Sequence, residues 1–164
     1  MNMTDLLSVE LVIANASPRR RDELLDTLVE RIAASTPEIR PDRLRTAIIE
    51  REKLGSTALE GGFALPHARL AGLSRPFGAF ARCLTGVDWT APDGKPTHFV
   101  FIFATPAEQP GLHLKLLASA SKVLRDADCQ EQLMAAADPL AILSALRRCE
   151  KEHDQAMSPA TARR

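Results

Sequence analysis

The chain has 164 residues, in which 21 lysines and arginines balance 21 aspartates and glutamates. Zero net charge gives no reason to expect nucleic acid or an anionic membrane as partner, and a composition of 45% hydrophobic and 26% charged residues, without an apolar run long enough to span a bilayer, is that of a soluble globular protein. This length suffices for one domain whose core needs neither disulfide nor metal support.

The opening MNMTDLLSVE lacks a basic segment followed by an apolar stretch and a small-residue cleavage site, so it does not read as a secretory signal. After the short β-like piece VELVIA, Ser17-Pro18 reads as the cap and first residue of a helix on which Leu24, Leu25, Leu28, Val29 and Ile32 recur at helical spacing. Arg19-Arg20-Arg21 falls at the N-terminus of that helix, where the macrodipole disfavours it, and reads as a solvated face or a docking patch. A second helix is expected from Pro41, with Leu44, Ala47 and Ile48 inward and Arg51 next on the same stripe.

From Gly55 to Pro66 the pattern breaks into short extended pieces, STAL and FALP, around EGG. Two fuller strands follow, FGAFARCL and the almost wholly apolar FVFIFA, with APDGKP as a turn between them. The second is expected in the middle of a sheet, buried on both faces. Pro110 suits the first turn of a helix with Leu116, Leu117, Ala120, Val123 and Leu124 inward, which puts His113 in or near that turn. Asp128 with Glu131 makes a variant capping box opening another helix, and Asp138-Pro139 opens the last. Residues 153–164, HDQAMSPATARR, have little to bury and read as a disordered tail after a single domain spanning 1–152. No internal repeat or linker suggests a second domain.

Cys83, Cys129 and Cys149 are odd in number, widely spaced and without a Cys-x-x-Cys pair. Each reads as a small buried or half-buried thiol in a reducing cytoplasm, and none as part of a metal knuckle. Trp89 and the six phenylalanines read as core and loop anchors.

Three residues carry candidate chemistry. Pro66 fixes the backbone before His67, and the short strand before it makes a rigid mount for that imidazole. Arg51 stands where a buried stripe calls for another apolar residue; its guanidinium suits bidentate binding of an oxyanion, or else its stem packs on the core while its head reaches water or pairs with Glu52 or Glu60. His113 shares a stripe with Leu117, Ala120 and Leu124 near a helix N-terminus, where the macrodipole disfavours imidazolium, so it reads as a neutral donor beside an anion or as a core-edge histidine. The set resembles a site that moves a phosphoryl group through phosphohistidine, although spacing alone does not bring the three together.

The stretch REKLGSTALEGGFALPHARL is similar to the Arg-Glu-x-Leu-x-Ser-Thr, Gly-rich hairpin and Ala-aliphatic-Pro-His pattern of the type 2 (fructose, mannitol and nitrogen-regulatory) enzyme IIA domains of the bacterial phosphoenolpyruvate:sugar phosphotransferase system. PDGKPTHFVFIFATP and HLKLLASASKVLRD resemble the same family, and the likeness runs from about Asp5 to Arg148. It implies a three-layer α/β/α sandwich with a small mixed sheet between helices. His67 matches the family's histidine that accepts a phosphoryl group from the phosphocarrier HPr, bonded in the tele position. His113 and Arg51 match its two phosphoryl-stabilising residues.

By that resemblance the activity is phosphotransfer in the cytoplasm, peripheral to the membrane at most, with no cofactor and no metal. The group passes on to a IIB cysteine or histidine, or serves as a regulatory signal, as in the nitrogen-regulatory IIA proteins. Backbone N–H groups around Pro66–Arg69 and Gly111–Leu114 are candidates for further oxyanion donors, without the sequence choosing among them. The chain departs from the family at Ala58 and Glu60, where glycine is common, and at His98, where many relatives have aspartate. Glu60 would bring a negative charge near the site, His98 reads as an exposed strand-end residue or a surface contact, Arg69 as a steering charge or a solvated one, and His153 as incidental.

Overall fold

A computed structural model describes residues 1–157. Two short 3-10 turns, Met3–Leu6 and Val9–Leu11, lead into strand β1 (Val12–Ile13). Helices α1 (Arg21–Ser35) and α2 (Pro41–Lys53) precede β2 (Ala58–Leu59), β3 (Phe63–Ala64), β4 (His67–Leu70), β5 (Phe77–Val87) and β6 (Thr97–Pro106). Helices α3 (Pro110–Arg125), α4 (Ala127–Ala135) and α5 (Pro139–Ala156) complete the described chain. The last helix passes the domain boundary expected at 152, and residues 158–164 of the expected tail lie outside the described residues.

The six strands form one mixed sheet in the order β1-β5-β6-β3-β2, with β4 also on β6. Strand β6 alternates strictly, as a central strand must. Phe99, Phe101 and Phe103 join Leu116, Leu124, Leu133 and Leu146 in one core, under α3, α4 and α5. Val100, Ile102 and Ala104 join Leu24, Leu28, Leu44 and Ile48 in the other, under α1 and α2. The expected three layers follow from that alternation.

Strands β3 and β4 run parallel to β6 in one continuous register, Phe63 opposite Phe99 and His67 opposite Phe103. Pro66 interrupts the ladder on its donor side only, since its carbonyl still accepts from Phe103 N–H at 3.1 Å. HARL, not among the strands expected from the sequence, is therefore a strand. Its partner lies 36 residues away (His67 opposite Phe103), beyond the reach of local pattern. In the preceding β2–β3 hairpin the left-handed residues are Gly61 and Gly62, at φ 103° and 83°. Ala58 keeps ordinary strand geometry and Glu60 is exposed at the turn, so neither position needs glycine.

Other local expectations change. α1 begins at Arg21 and not at Pro18, because the segment after β1 stays tied to the sheet through Ala16 N–H on the Arg82 carbonyl at 3.1 Å. Arg19 and Arg20 are exposed, while Arg21 approaches the Asp22 and Glu52 carboxylates at 3.5 and 3.9 Å. α4 is capped by Asp126, whose carboxylate accepts from the N–H groups of Asp128 and Cys129 at 2.9 and 3.3 Å, not by the Asp128–Glu131 box. Asp126 also meets His153 Nε2 at 2.9 Å, so His153 is a link between α4 and α5 and not incidental.

Cys129 and Cys149 are joined in a disulfide between these same helices, with Cα atoms 6.0 Å apart, which corrects the reading of three separate thiols. Among the described residues Cys83 is the free cysteine, and burial pushes its thiol up to about 11. Arg82 is 2% exposed and reaches no carboxylate among the described residues; its guanidinium donates to the carbonyls of Ala14 at 2.9 Å, Leu133 at 2.8 Å, Met134 at 3.5 Å and Ala136 at 2.5 Å, the last three at the C-terminal end of α4.

Candidate active site

The sheet edge at His67 lies between the C-terminal turn of α2 and the N-terminal turn of α3. An open cavity of about 480 Å³ there is lined by Glu50, Arg51, Leu54, His67, Arg69 and His113, with Ala47 and Ala68 beneath. The structure thus brings together the three residues singled out in the sequence, together with Arg69, which lies exposed on β4. Glu60 and His98 do not line the cavity. His98 is half-buried, and its Nδ1 donates to the Cys83 carbonyl at 2.9 Å beside the bulge of β5, a structural role.

His67 is the first residue of β4 and half-buried. Its ring lies on Phe103, its partner on β6, with centroids 5.5 Å apart and planes within 22°. Nδ1 sits 2.7 Å from the Leu65 carbonyl. A carbonyl oxygen only accepts, so Nδ1 carries the ring proton and Nε2 the lone pair. Burial lowers the His67 pKa, the bond to Leu65 opposes that, and the Arg51 guanidinium lowers it further. The ring is neutral at neutral pH, with one nucleophilic nitrogen.

His113 is the fourth residue of α3 and 6% exposed. Its ring meets that of His67 edge-on, centroids 4.9 Å apart at 67°, and its Nδ1 lies 2.8 Å from Thr105 Oγ1. Burial chiefly, then the neighbouring His67, Arg69 and Arg51, push its pKa down to about 4. The first-turn N–H groups of α3 have no side-chain cap, so the positive end of the helix lies beside this ring.

Arg51, in the last turn of α2, donates from Nη1 to the Gly55 carbonyl at 3.0 Å, through one of the five N–H donors of its fork. Behind it, Glu52 is buried and accepts from Thr57 N–H at 3.1 Å, the Thr57 hydroxyl and Trp89 Nε1 at 3.4 Å. The loop that grips Arg51 is therefore anchored from within. Two neutral imidazoles, two guanidiniums and a helix N-terminus around one cavity suit a dianionic oxyanion, and the bare Nε2 of His67 suits attack on it.

The sequence reading missed Thr105, Phe103 and the Leu65 carbonyl. A threonine two residues beyond Phe103 in an apolar strand is a signal in itself, because alternation puts it on the same face as the phenylalanines and a buried hydroxyl needs a partner.

No helix of the described residues is long and apolar enough to cross a membrane. The profile of the family described as "Phosphoenolpyruvate-dependent sugar phosphotransferase system, EIIA 2" matches residues 5–149. The chain is 34% identical over 162 residues to the nitrogen regulatory protein of Bradyrhizobium diazoefficiens, covering 99% of each. It superposes on the crystal structure of nitrogen regulatory protein IIA-Ntr from Neisseria meningitidis with a TM-score of 0.82 at 27% identity, over 88% of this chain and 98% of that one. The fold alone is shared, with a TM-score of 0.72 at 19% identity over 87% and 97%, with a chain from the complex of enzyme IIAMTL and phosphorylated enzyme IIBMTL of Escherichia coli. The chain belongs to the EIIA type 2 family of the phosphoenolpyruvate-dependent sugar phosphotransferase system.

Proposed function

We propose that this chain is a cytoplasmic phosphocarrier that takes a phosphoryl group on Nε2 of His67 from the phosphohistidine of HPr. The observation that carries this reading is the bond from His67 Nδ1 to the Leu65 carbonyl, which leaves Nε2 as the lone-pair nitrogen of a ring lining an arginine-bearing cavity. Nε2 attacks phosphorus as the bond to the donor histidine nitrogen breaks. No proton need leave, since Nδ1–H stays on Leu65, and the ring, now bonded at both nitrogens, carries the positive charge that keeps the phosphoryl group transferable. Arg51 and the His113 ring N–H stabilise the equatorial oxygens.

Two fates are open to the group: transfer to a IIB partner, or retention as a signal to a regulated protein. The end-to-end match with a nitrogen regulatory protein favours the second. Incubation with phosphoenolpyruvate, enzyme I and HPr is expected to give one acid-labile, alkali-stable phosphate, absent in His67→Ala and formed roughly ten- to a thousandfold more slowly in Arg51→Ala. An unlabelled wild type, or undiminished labelling of His67→Ala, refutes the carrier reading. Stable capture of a partner other than IIB by one phosphorylation state supports the regulatory fate; rapid sugar-dependent loss of phosphate without such a partner overturns it.

A further inference from the structure

We propose that Thr105 is a positioning residue that fixes the tautomer of His113, holding the ring proton on Nε2 as a donor for the transferred oxygens; this rests on the reading of His67 as phosphoryl acceptor. Thr105 follows Ala104 near the end of β6, fully buried, on the face that carries Phe103. Its Oγ1 lies 2.8 Å from His113 Nδ1, and among the described residues that is its hydrogen-bonding partner.

A hydroxyl brings one proton and a neutral imidazole brings one. Were the ring proton on Nδ1, it would occupy Oγ1 as acceptor, and the threonine proton would be left in a buried site without an acceptor. With the hydroxyl donating, both groups are satisfied: Nδ1 accepts, and the ring proton sits on Nε2. A neutral ring fits the strong depression of the His113 pKa.

The consequence is a matched pair of opposite tautomers. The Leu65 carbonyl, which only accepts, puts the His67 proton on Nδ1 and bares Nε2 for attack. The Thr105 hydroxyl puts the His113 proton on Nε2 and makes that nitrogen a donor. Two histidines with rings 4.9 Å apart thereby take different parts, set by one backbone oxygen and one side-chain oxygen. Phe103 lies against both rings, with centroids 5.5 and 5.4 Å away, which holds them in their relative places.

The test is two-bond proton–nitrogen correlation NMR on protein labelled with nitrogen-15 histidine, paired with phosphoryl-transfer kinetics from phosphorylated HPr. Wild type is expected to show His113 protonated at Nε2, with Nδ1 displaced as a nitrogen accepting a hydrogen bond. Thr105→Val is expected to lose that displacement and to slow transfer about tenfold at saturating HPr, with half-saturation little changed. Thr105→Ser is expected to restore both. A protonated Nδ1 in wild type overturns the proposal, as does a Thr105→Val protein matching wild type in either resonance or rate. The tautomer is read on the unphosphorylated protein, so a wild type with Nε2–H that takes no phosphate supports the Thr105 assignment and refutes the acceptor reading alone.

Discussion

Acid should loosen this fold through His113. Its pKa falls from the ordinary 6.5 to about 4 in the folded chain, chiefly by burial. Between those values the unfolded chain holds a proton there that the folded chain refuses, so stability is full above 6.5 and is lost as pH falls toward 4. Below about 4 both states are protonated and the loss stops. Going from pH 7 to pH 5 the cost from this one ring is about 2 kcal/mol. The buried Trp89, the single tryptophan, gives a fluorescence signal for urea unfolding.

His113→Gln should show an acid loss smaller than that of wild type by about that amount. His67 is shifted in the same direction and leaves a residual loss in the variant. Glu150, raised by burial against its bonds to Thr4, works the opposite way and is common to both proteins. Equal acid losses in the two proteins refute the reasoning.

Gly86 adopts φ +78°, and a Cβ there would meet the Pro96 Cβ at 2.5 Å and His98 Cε1 at 3.1 Å, so Gly86→Ala should cost about 2 kcal/mol or more in urea unfolding. Arg82→Leu removes the donor to the four carbonyls its guanidinium holds, those of Ala14, Leu133, Met134 and Ala136, and should cost about 3 kcal/mol by the same measurement; a loss below about 1 kcal/mol would mean that relaxation or water satisfies them.

What could be read in the sequence was what local pattern encodes. Pro41, Pro110 and Pro139 open α2, α3 and α5 where the one-sided tolerance of proline predicts, and the apolar run of β6 lies centrally in the sheet. Arg51 stood out as a cation on an apolar stripe, and it lines the cavity together with His67 and His113. The misses share long separation or local competition. β4 exists through pairing with β6, and Cys129 meets Cys149 across 20 residues. Asp126 outcompetes Asp128 as a cap because its carboxylate also holds His153. Thr105 lies one residue beyond the apolar run FVFIFA, and only the packing of α3 brings His113 to its hydroxyl.

The strand that begins at His67 also limits how a change at that ring can spread. Residues 67–70 are laddered to 103–106, Phe103 N–H holds the Pro66 carbonyl, Ala107 N–H holds the Leu70 carbonyl at 3.0 Å, and the ring is tied to Leu65. A backbone fastened at both ends offers no second arrangement for a modification to select. Whatever distinguishes a modified from an unmodified surface must then be the potential at the cavity mouth, where nearly two negative charges would face Arg51 and Arg69. Such discrimination fades as ionic strength shortens the reach of charge to below about 10 Å. Salt, more than temperature or any hinge, would then set how sharply a partner tells the two states apart.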